Sequence, residues 1–220
     1  MAHPYWPLFD LSVRTPRLEL RYPDDDMCTR LAGAAGGDLF AGTGNQFRLD
    51  WTSDPSPERE RRSLQFYWRC RAELSPASWN LPLVVLVAGE PAGSQGLHAD
   101  DFAHKRSIES GSWLAERFQG RGLAREMRLA MLHLAFDGLG ATEALSGAFE
   151  TNVRSLRVSQ SLGYSDNGEQ VMMRGDRPTR VLNFRMDSAT FAALRRQDIV
   201  IENLAECLPL LGLREAAGSA

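Results

Sequence analysis

Residues 118–136 read FQGRGLAREMRLAMLHLAF, and the fold turns on how this stretch is read. Gly120 and Gly122 lie one residue apart, directly before a long run with apolar residues at helical spacing. The start of a helix leaves backbone N–H groups without partners and carries the positive end of the helix dipole. Glycines in front of it let a diphosphate come close to the backbone. Gln119 to Ala124 therefore reads as a phosphate cradle, although glycine before a helix is also ordinary loop chemistry.

Two other phosphate loops fail on the residues. The string G-x-x-x-x-G-K-[ST] does not occur. The dinucleotide fingerprint G-x-G-x-x-G/A would need glycine or alanine where GRGLAR has Arg125. That fingerprint also belongs in a parallel βαβ unit, and here hairpins precede the loop. Glu143 falls about twenty residues downstream, where a ribose-binding acid would sit, and reads as coincidence.

Outward from the loop, RLELR (17–21) alternates as a half-buried strand does. Residues 24–36 open with aspartates after Pro23 and predict a helix. Residues 40–57 are rich in turn formers. A second helix over 56–74 has Ser56 as candidate cap and Pro57 in its first turn. LPLVVLVAG (81–89), residues 92–102 and SIESGSWLAE (107–116) predict three strands, with turns at 89–93 and near 101–106. Such short turns make the three strands antiparallel neighbours. After the loop come a helix over about 122–137, a strand at 142–150, and a short helix at 152–163 ended by Gly163. VMMRG and RVLNFRM form two more strands around a turn at 176–178, and a last helix spans 187–197. One domain over 1–190 is expected, with a C-terminal appendage at 191–220 whose polar tail is expected to be flexible.

Composition narrows the function classes. The 220 residues are 43% hydrophobic and 24% charged, with net charge −3, an ordinary globular balance that draws the chain to neither nucleic acid nor anionic membrane. The mixed-sign run ERERR (58–62) is a solvated helix face. Three scattered cysteines, Cys28, Cys70 and Cys207, give neither a disulfide framework nor a zinc site. The four histidines show no metal-ligand spacing. With no spanning apolar run and no signal-peptide pattern, a cytoplasmic protein is expected.

The loop Gln119-Gly120-Arg121-Gly122-Leu123-Ala124 fits Q/R-x-x-G-x-G/A and resembles the acyl-coenzyme A loop of the GCN5-related N-acetyltransferase (GNAT) family. Asn152, a short helix and then Gly163-Tyr164 resemble the family's second feature, at the right distance. SGSWLAE resembles its fourth strand. TPRLELR resembles the opening strand of the branch that acetylates ribosomal-protein N-termini. The resemblance covers roughly residues 10–188. The chain also resembles a bacterial member of the family described as a candidate succinyltransferase.

The resemblance implies an α/β (α+β) GNAT fold: a mixed, mostly antiparallel twisted sheet of about seven strands flanked by helices, splayed between the family's fourth and fifth strands. It implies that pantetheine lies in the gap, along Trp113, Leu114 and Ala115. The diphosphate then sits on Gly120, Arg121, Gly122, Leu123 and Ala124, with Gln119, Arg117 and Arg125 beside it. Asn152 resembles the contact to pantetheine, and Asn is equally a good helix N-cap. Many members carry Tyr, as acid for the departing thiolate, where this chain has Ser159. Ser155 matches the group proposed for that role in the ribosomal-protein branch, and Ser159 shares its helix face.

The implied activity is N-acyl transfer from acetyl- or succinyl-coenzyme A to a primary amine, by direct transfer in a ternary complex. The acceptor is a protein N-terminus, a lysine or a small molecule. It would enter near Trp51, Phe66, Tyr67, Trp68 and the turn at 174–180. A base must take the amine proton. Glu109 is favoured, with Glu150, Asp101 and His98 as alternatives. No metal is expected, and the apolar C-terminal segment leaves two readings open: it covers a partner in self-association, or it folds back on its own domain. A non-catalytic acyl-coenzyme A sensor is the second reading, and a dinucleotide-binding oxidoreductase the third.

Overall fold

The computed structural model describes residues 3–35, 54–174 and 176–214. In chain order these form β1 (Ser12–Arg14), β2 (Glu19–Arg21), α1 (Asp25–Ala34), α2 (Glu58–Ala72), β3 (Ser78–Val87), β4 (Glu90–Asp100) and α3 (Phe102–Lys105). Then come β5 (Ser107–Leu114), α4 (Leu123–His133), β6 (Glu143–Phe149), α5 (Val153–Ser161), β7 (Ser165–Arg174), β8 (Arg177–Asp187), α6 (Ser188–Ala192) and β9 (Val200–Glu202). Trp51 and most of the turn-rich stretch at 40–57 lie outside the described residues.

The strands form one sheet in the order β7-β8-β6-β5-β4-β3-β2-β1-β9. Every neighbouring pair is antiparallel except β5 with β6. The exception follows from the chain between them, because a crossover through a helix returns the strand in the same direction. That helix is α4, the one opened by the glycine loop. The mixed, mostly antiparallel sheet flanked by helices agrees with the sequence reading. It has nine strands instead of about seven. The additional β1 and β9 have three residues each, too short to show a two-residue period.

The large core lies on the α4 side of the sheet. Met127, Ala130 and Met131 of α4 pack with Leu81, Leu83, Leu97, Ile108 and Phe184 from the strands. A smaller cluster of Cys28, Leu31, Tyr67, Val84 and Leu86 joins α1 and α2 to the sheet, with Trp113 packed against it. Ile108 and Leu114 of β5 belong to the first core, and Trp113 is packed against both clusters.

Several element ends differ from the sequence expectations. Asp24 caps α1 by accepting the Met27 N–H at 2.8 Å, but α2 begins without a side-chain cap, so Ser56 does not serve there. The turn near 101–106 contains α3, flanked by Asp101 and Arg106 with positive φ. The helix after the loop passes into a π turn at Leu134–Gly138. The last helix, capped by Asp187, stops at Ala192. Beyond it, β9 pairs with β1, and a 3-10 segment at Ala205–Leu211 buries Cys207 and Leu211. There the indole N–H of Trp79 donates to the Leu211 carbonyl at 3.2 Å.

Candidate active site

β5 and β6 pair in parallel through Ser107–Glu143, Ile108–Ala144, Glu109–Leu145 and Ser110–Ser146, and there the pairing ends. Beyond this vertex β5 keeps β4 on its other side as far as Leu114, and β6 keeps β8 as far as Phe149. The two strands thus open into a fork. Gly93 of β4 draws the far end of β5 to that side. A Cβ at Gly93 would lie 2.1 Å from the Trp113 carbonyl oxygen, a separation real atoms do not adopt.

The glycine loop stands beyond the open end of β5. Gly120 and Gly122 have φ of +71° and +77°, in the left-handed region that favours glycine. Gly122 takes the N-cap position of α4 without offering a capping side chain. As a result the N–H groups of Gly122, Leu123, Ala124 and Arg125 find no acceptor among the described residues. Four adjacent donors at the positive end of a helix form an anion site in waiting.

The surrounding cations are only partly those expected. Arg117 pairs with Glu90 and stacks on Phe118, and Arg121 also lies over Phe118, while Arg125 is exposed. Two arginines not singled out in the sequence complete the ring. Arg17, from the turn before β2, donates to the Arg121 carbonyl at 3.0 Å and to Glu126 at 2.6 Å. Arg154, in the first turn of α5, bonds the Gln119 side-chain oxygen. Neither has a sequence signal, because each is more than thirty residues from the group it meets.

Gln119 links both arms of the fork. Its amide N–H donates to the Leu114 carbonyl at 2.8 Å while its oxygen takes Arg154. Two backbone groups expected on the open edge are therefore engaged: the Leu114 carbonyl by Gln119, and the Ala115 N–H by the Ala92 carbonyl at 2.8 Å. Asn152 accepts the Ser155 N–H at 3.2 Å and so caps α5. Ser155 is half-buried in the first turn of that helix. Ser159, one turn on, is 1% exposed.

The candidate bases separate by environment. Glu109 faces away from α4, into a cavity of about 240 Å³ lined with Leu145, Ser146, Asn167, Gln170, Asn183 and Phe184 at the vertex of the fork. His98 is the cross-strand partner of Glu109 and lies 3.4 Å from Asp100. Asp101 is held by His104 at 2.6 Å, and Glu150 lies 3.8 Å from Arg180. The structure thus puts Glu109 and His98 on one face, and leaves Asp101 and Glu150 engaged elsewhere. Phe66 and Trp68 are exposed on α2, and Tyr67 is buried in the smaller core. Burial pushes all three thiols up to about 12, so Cys28, Cys70 and Cys207 stay protonated at neutral pH. No group of three metal-ligating side chains comes together, and no helix is long and apolar enough to cross a membrane, among the described residues.

Comparison with known proteins places this geometry. The profile of the acetyltransferase (GNAT) domain matches residues 17–165. Solved structures of similar fold include RimJ of Mycobacterium smegmatis in complex with a coenzyme A disulfide. It is 17% identical over 83% of this chain and 91% of that one, with a TM-score of 0.69. RimL, a ribosomal α-N-protein acetyltransferase bound to coenzyme A, is 18% identical over 79% and 95% of the two chains, with a TM-score of 0.64. MccE, a microcin self-immunity acetyltransferase bound to acetyl-coenzyme A and AMP, is 14% identical over 78% and 93%, with a TM-score of 0.65. At these identities the likeness speaks for the fold, and the profile match, which spans well over half the sequence, speaks for the family. The forked sheet, the glycine loop before α4 and this match agree: the chain belongs to the GNAT acetyltransferase family.

Proposed function

We propose that the protein is an N-acyltransferase that moves an acyl group from acyl-coenzyme A to a primary amine by direct transfer in a ternary complex. The observation that carries this reading is the row of unpartnered N–H groups from Gly122 to Arg125, placed at the mouth of the β5/β6 fork. In this reading the donor diphosphate rests on Gly120 to Ala124, with Arg121, Arg125 and Arg154 supplying positive charge. Pantetheine runs down the open side of β5, past Ala115, Leu114 and Trp113, toward the vertex. Asn152, its oxygen spent on the cap, has its amide N–H₂ left to donate to the donor.

The acceptor amine enters the cavity that holds Glu109. A free α-amine has a pKa near ~8 and a lysine near ~10.4, so at neutral pH Glu109, directly or through water, takes the proton that frees the lone pair. The nitrogen attacks the thioester carbonyl. A β5 backbone N–H receives the charge that grows on its oxygen. The C–S bond breaks, the thiolate takes a proton from Ser155, which is more accessible than the buried Ser159, and the proton shed by the new amide nitrogen returns to the Ser155 oxygen. The protonated, buried cysteines support direct transfer over an acyl-enzyme.

Calorimetric titration with acetyl-coenzyme A, succinyl-coenzyme A and NAD, followed by a thiol-release assay with amines, tests the reading. Thioester binding without NAD binding, plus amine-dependent thiol release, is the expected result. A donor preference above about 1.4 kcal/mol, tenfold in affinity, separates acetyl from succinyl. Binding without thiol release would favour a sensor, a reading supported by Ser159 standing where many family members carry Tyr. No thioester binding by folded protein would end both.

A further inference from the structure

Arg128 lies on α4, one turn beyond the open N–H groups, and is 3% exposed. Its guanidinium reaches three consecutive strands. Nη2 donates to Ser112 Oγ of β5 at 3.1 Å, Nη1 to Ser146 Oγ of β6 at 2.9 Å, and Nε to Gln95 Oε1 of β4 at 3.4 Å. Gln95 in turn donates to the Gly111 carbonyl at 3.1 Å, and Ser110 Oγ donates to the Leu145 carbonyl at 3.2 Å. The buried hydroxyl of Tyr164 lies beside Arg128 and Ser110. No carboxylate among the described residues pairs with Arg128.

A buried cation with only neutral partners is a poor way to stabilise a core. Its neighbours on α4, Met127, Leu129, Ala130 and Met131, show that an apolar side chain would suit the helix. The position of the charge accounts for it. Ser110 and Ser146 are the last paired residues of β5 and β6, and Ser112 is the next β5 residue facing α4. Continued pairing would zip Ser112 toward β6 and close the fork. The guanidinium instead stands between the two serines, with one N–H group on each. Its planar, rigid set of donors fixes their separation, which a flexible ammonium cannot do.

We infer that Arg128 is a positioning residue, a brace that sets the width of the β5/β6 fork for the donor; as a claim about catalysis, this rests on the acyl-transfer reading above. It keeps the side of β5 over residues 111–113, roughly 10 Å of strand, available to pantetheine.

The test compares wild type with Arg128→Met, Arg128→Lys and Ser146→Ala, by calorimetry with coenzyme A, steady-state kinetics and amide hydrogen exchange. Both arginine variants are expected to raise the donor KM and the coenzyme A Kd about tenfold or more, with the amine KM unchanged and kcat affected less. Arg128→Lys keeps the charge and should still fail. Ser146→Ala gives a smaller defect of the same kind, and adds nothing in the Arg128→Met background. If the arginine variants do not fold, Ser146→Ala alone carries the test. Lower thermal stability with unchanged donor constants would overturn the inference. So would a fall in kcat alone, which would make Arg128 a stabiliser of reaction charge. If wild type binds no coenzyme A thioester, the acyl-transfer reading fails by itself. The brace is then judged by exchange at Ser112–Leu114 and Gly147–Phe149, slower in Arg128→Met if it exists, because the fork zips and pairs those amides, and unchanged or faster if it does not.

Discussion

Gly122 and Gly93 serve the fork for different reasons, and the difference makes them separable by mutation. Gly122 is needed for its backbone angle, since a Cβ there would meet nothing closer than Arg17 Nη2 at 3.6 Å. Gly122→Ala is expected to cost about 1–2 kcal/mol from left-handed strain. Gly122→Asp should in addition abolish donor binding, by setting a negative charge in the proposed diphosphate cradle. Chemical denaturation and calorimetry with coenzyme A read the two effects apart, and normal donor affinity in a folded Gly122→Asp protein would refute the cradle. Gly93 is needed for its missing side chain. Gly93→Ala must push β5 off β4, at about 1–3 kcal/mol, and should weaken the donor affinity with it. Arg17 works from outside the loop. Arg17→Ala removes a partner from Glu126, which is 7% exposed and keeps the Thr15 hydroxyl. A loss of about 1–3 kcal/mol is expected in denaturation, with a weaker donor titration as the loop loses its tie to Arg121.

At the scale of elements, α4 is held at both ends by polar contacts that reach far along the chain. Arg17 and Thr15 grip its first turn through Glu126. His133 grips its last: Nε2 accepts the Arg196 N–H at 3.1 Å, and Nδ1 faces Asp137 at 3.0 Å. An accepting Nε2 must be unprotonated, and burial holds the imidazole below its ordinary value of 6.5. Unfolded chains take up this proton near that value and the folded protein does not. The unfolded state therefore binds more protons, and stability falls as pH drops below about 6.5, levelling off below the depressed folded value. Denaturation from about pH 8 to 5 should show a shallower loss for His133→Asn than for wild type; equal slopes would discount His133. The sequence placed His133 on the helix but not its partner, because Arg196 is 63 residues away. It offered Asn152 as a cap and aspartates at the start of α1 because such a cap bonds an N–H three residues on.

Across the whole molecule, the C-terminal segment belongs to the sheet that carries the site. β9 adds an edge to β1, and Cys207, Leu211 and Leu213 enter the large core beside Trp79. A chain ending at residue 198 loses that strand, those side chains and the acceptor for the Trp79 indole. The expected cost exceeds about 3 kcal/mol, read as a fall in the denaturation midpoint. A truncated chain of full stability would make the segment a passive tail. The fork is itself a property of the whole: α4 makes β5 and β6 parallel, β4 and β8 draw them apart, and Arg128 stands between.

What the sequence alone determined is local. The glycine pair before a helix, the alternating strands with short turns, and Asn with Gly-Tyr at the ends of a short helix each express a rule that acts over a few residues. Together they were enough for the family and for the place of the glycine loop before α4. The tertiary structure alone decided which side chains share the site. Ser155 and Ser159 occupy one helix face, yet one lies near the surface and the other in the core. Glu109 lines the cavity at the vertex of the fork, and Asp101 and Glu150 do not. Arg128, one cation in an apolar helix, became legible only when three strands closed around it. Periodicity says which way a side chain points from its own element, and only packing says what it meets there.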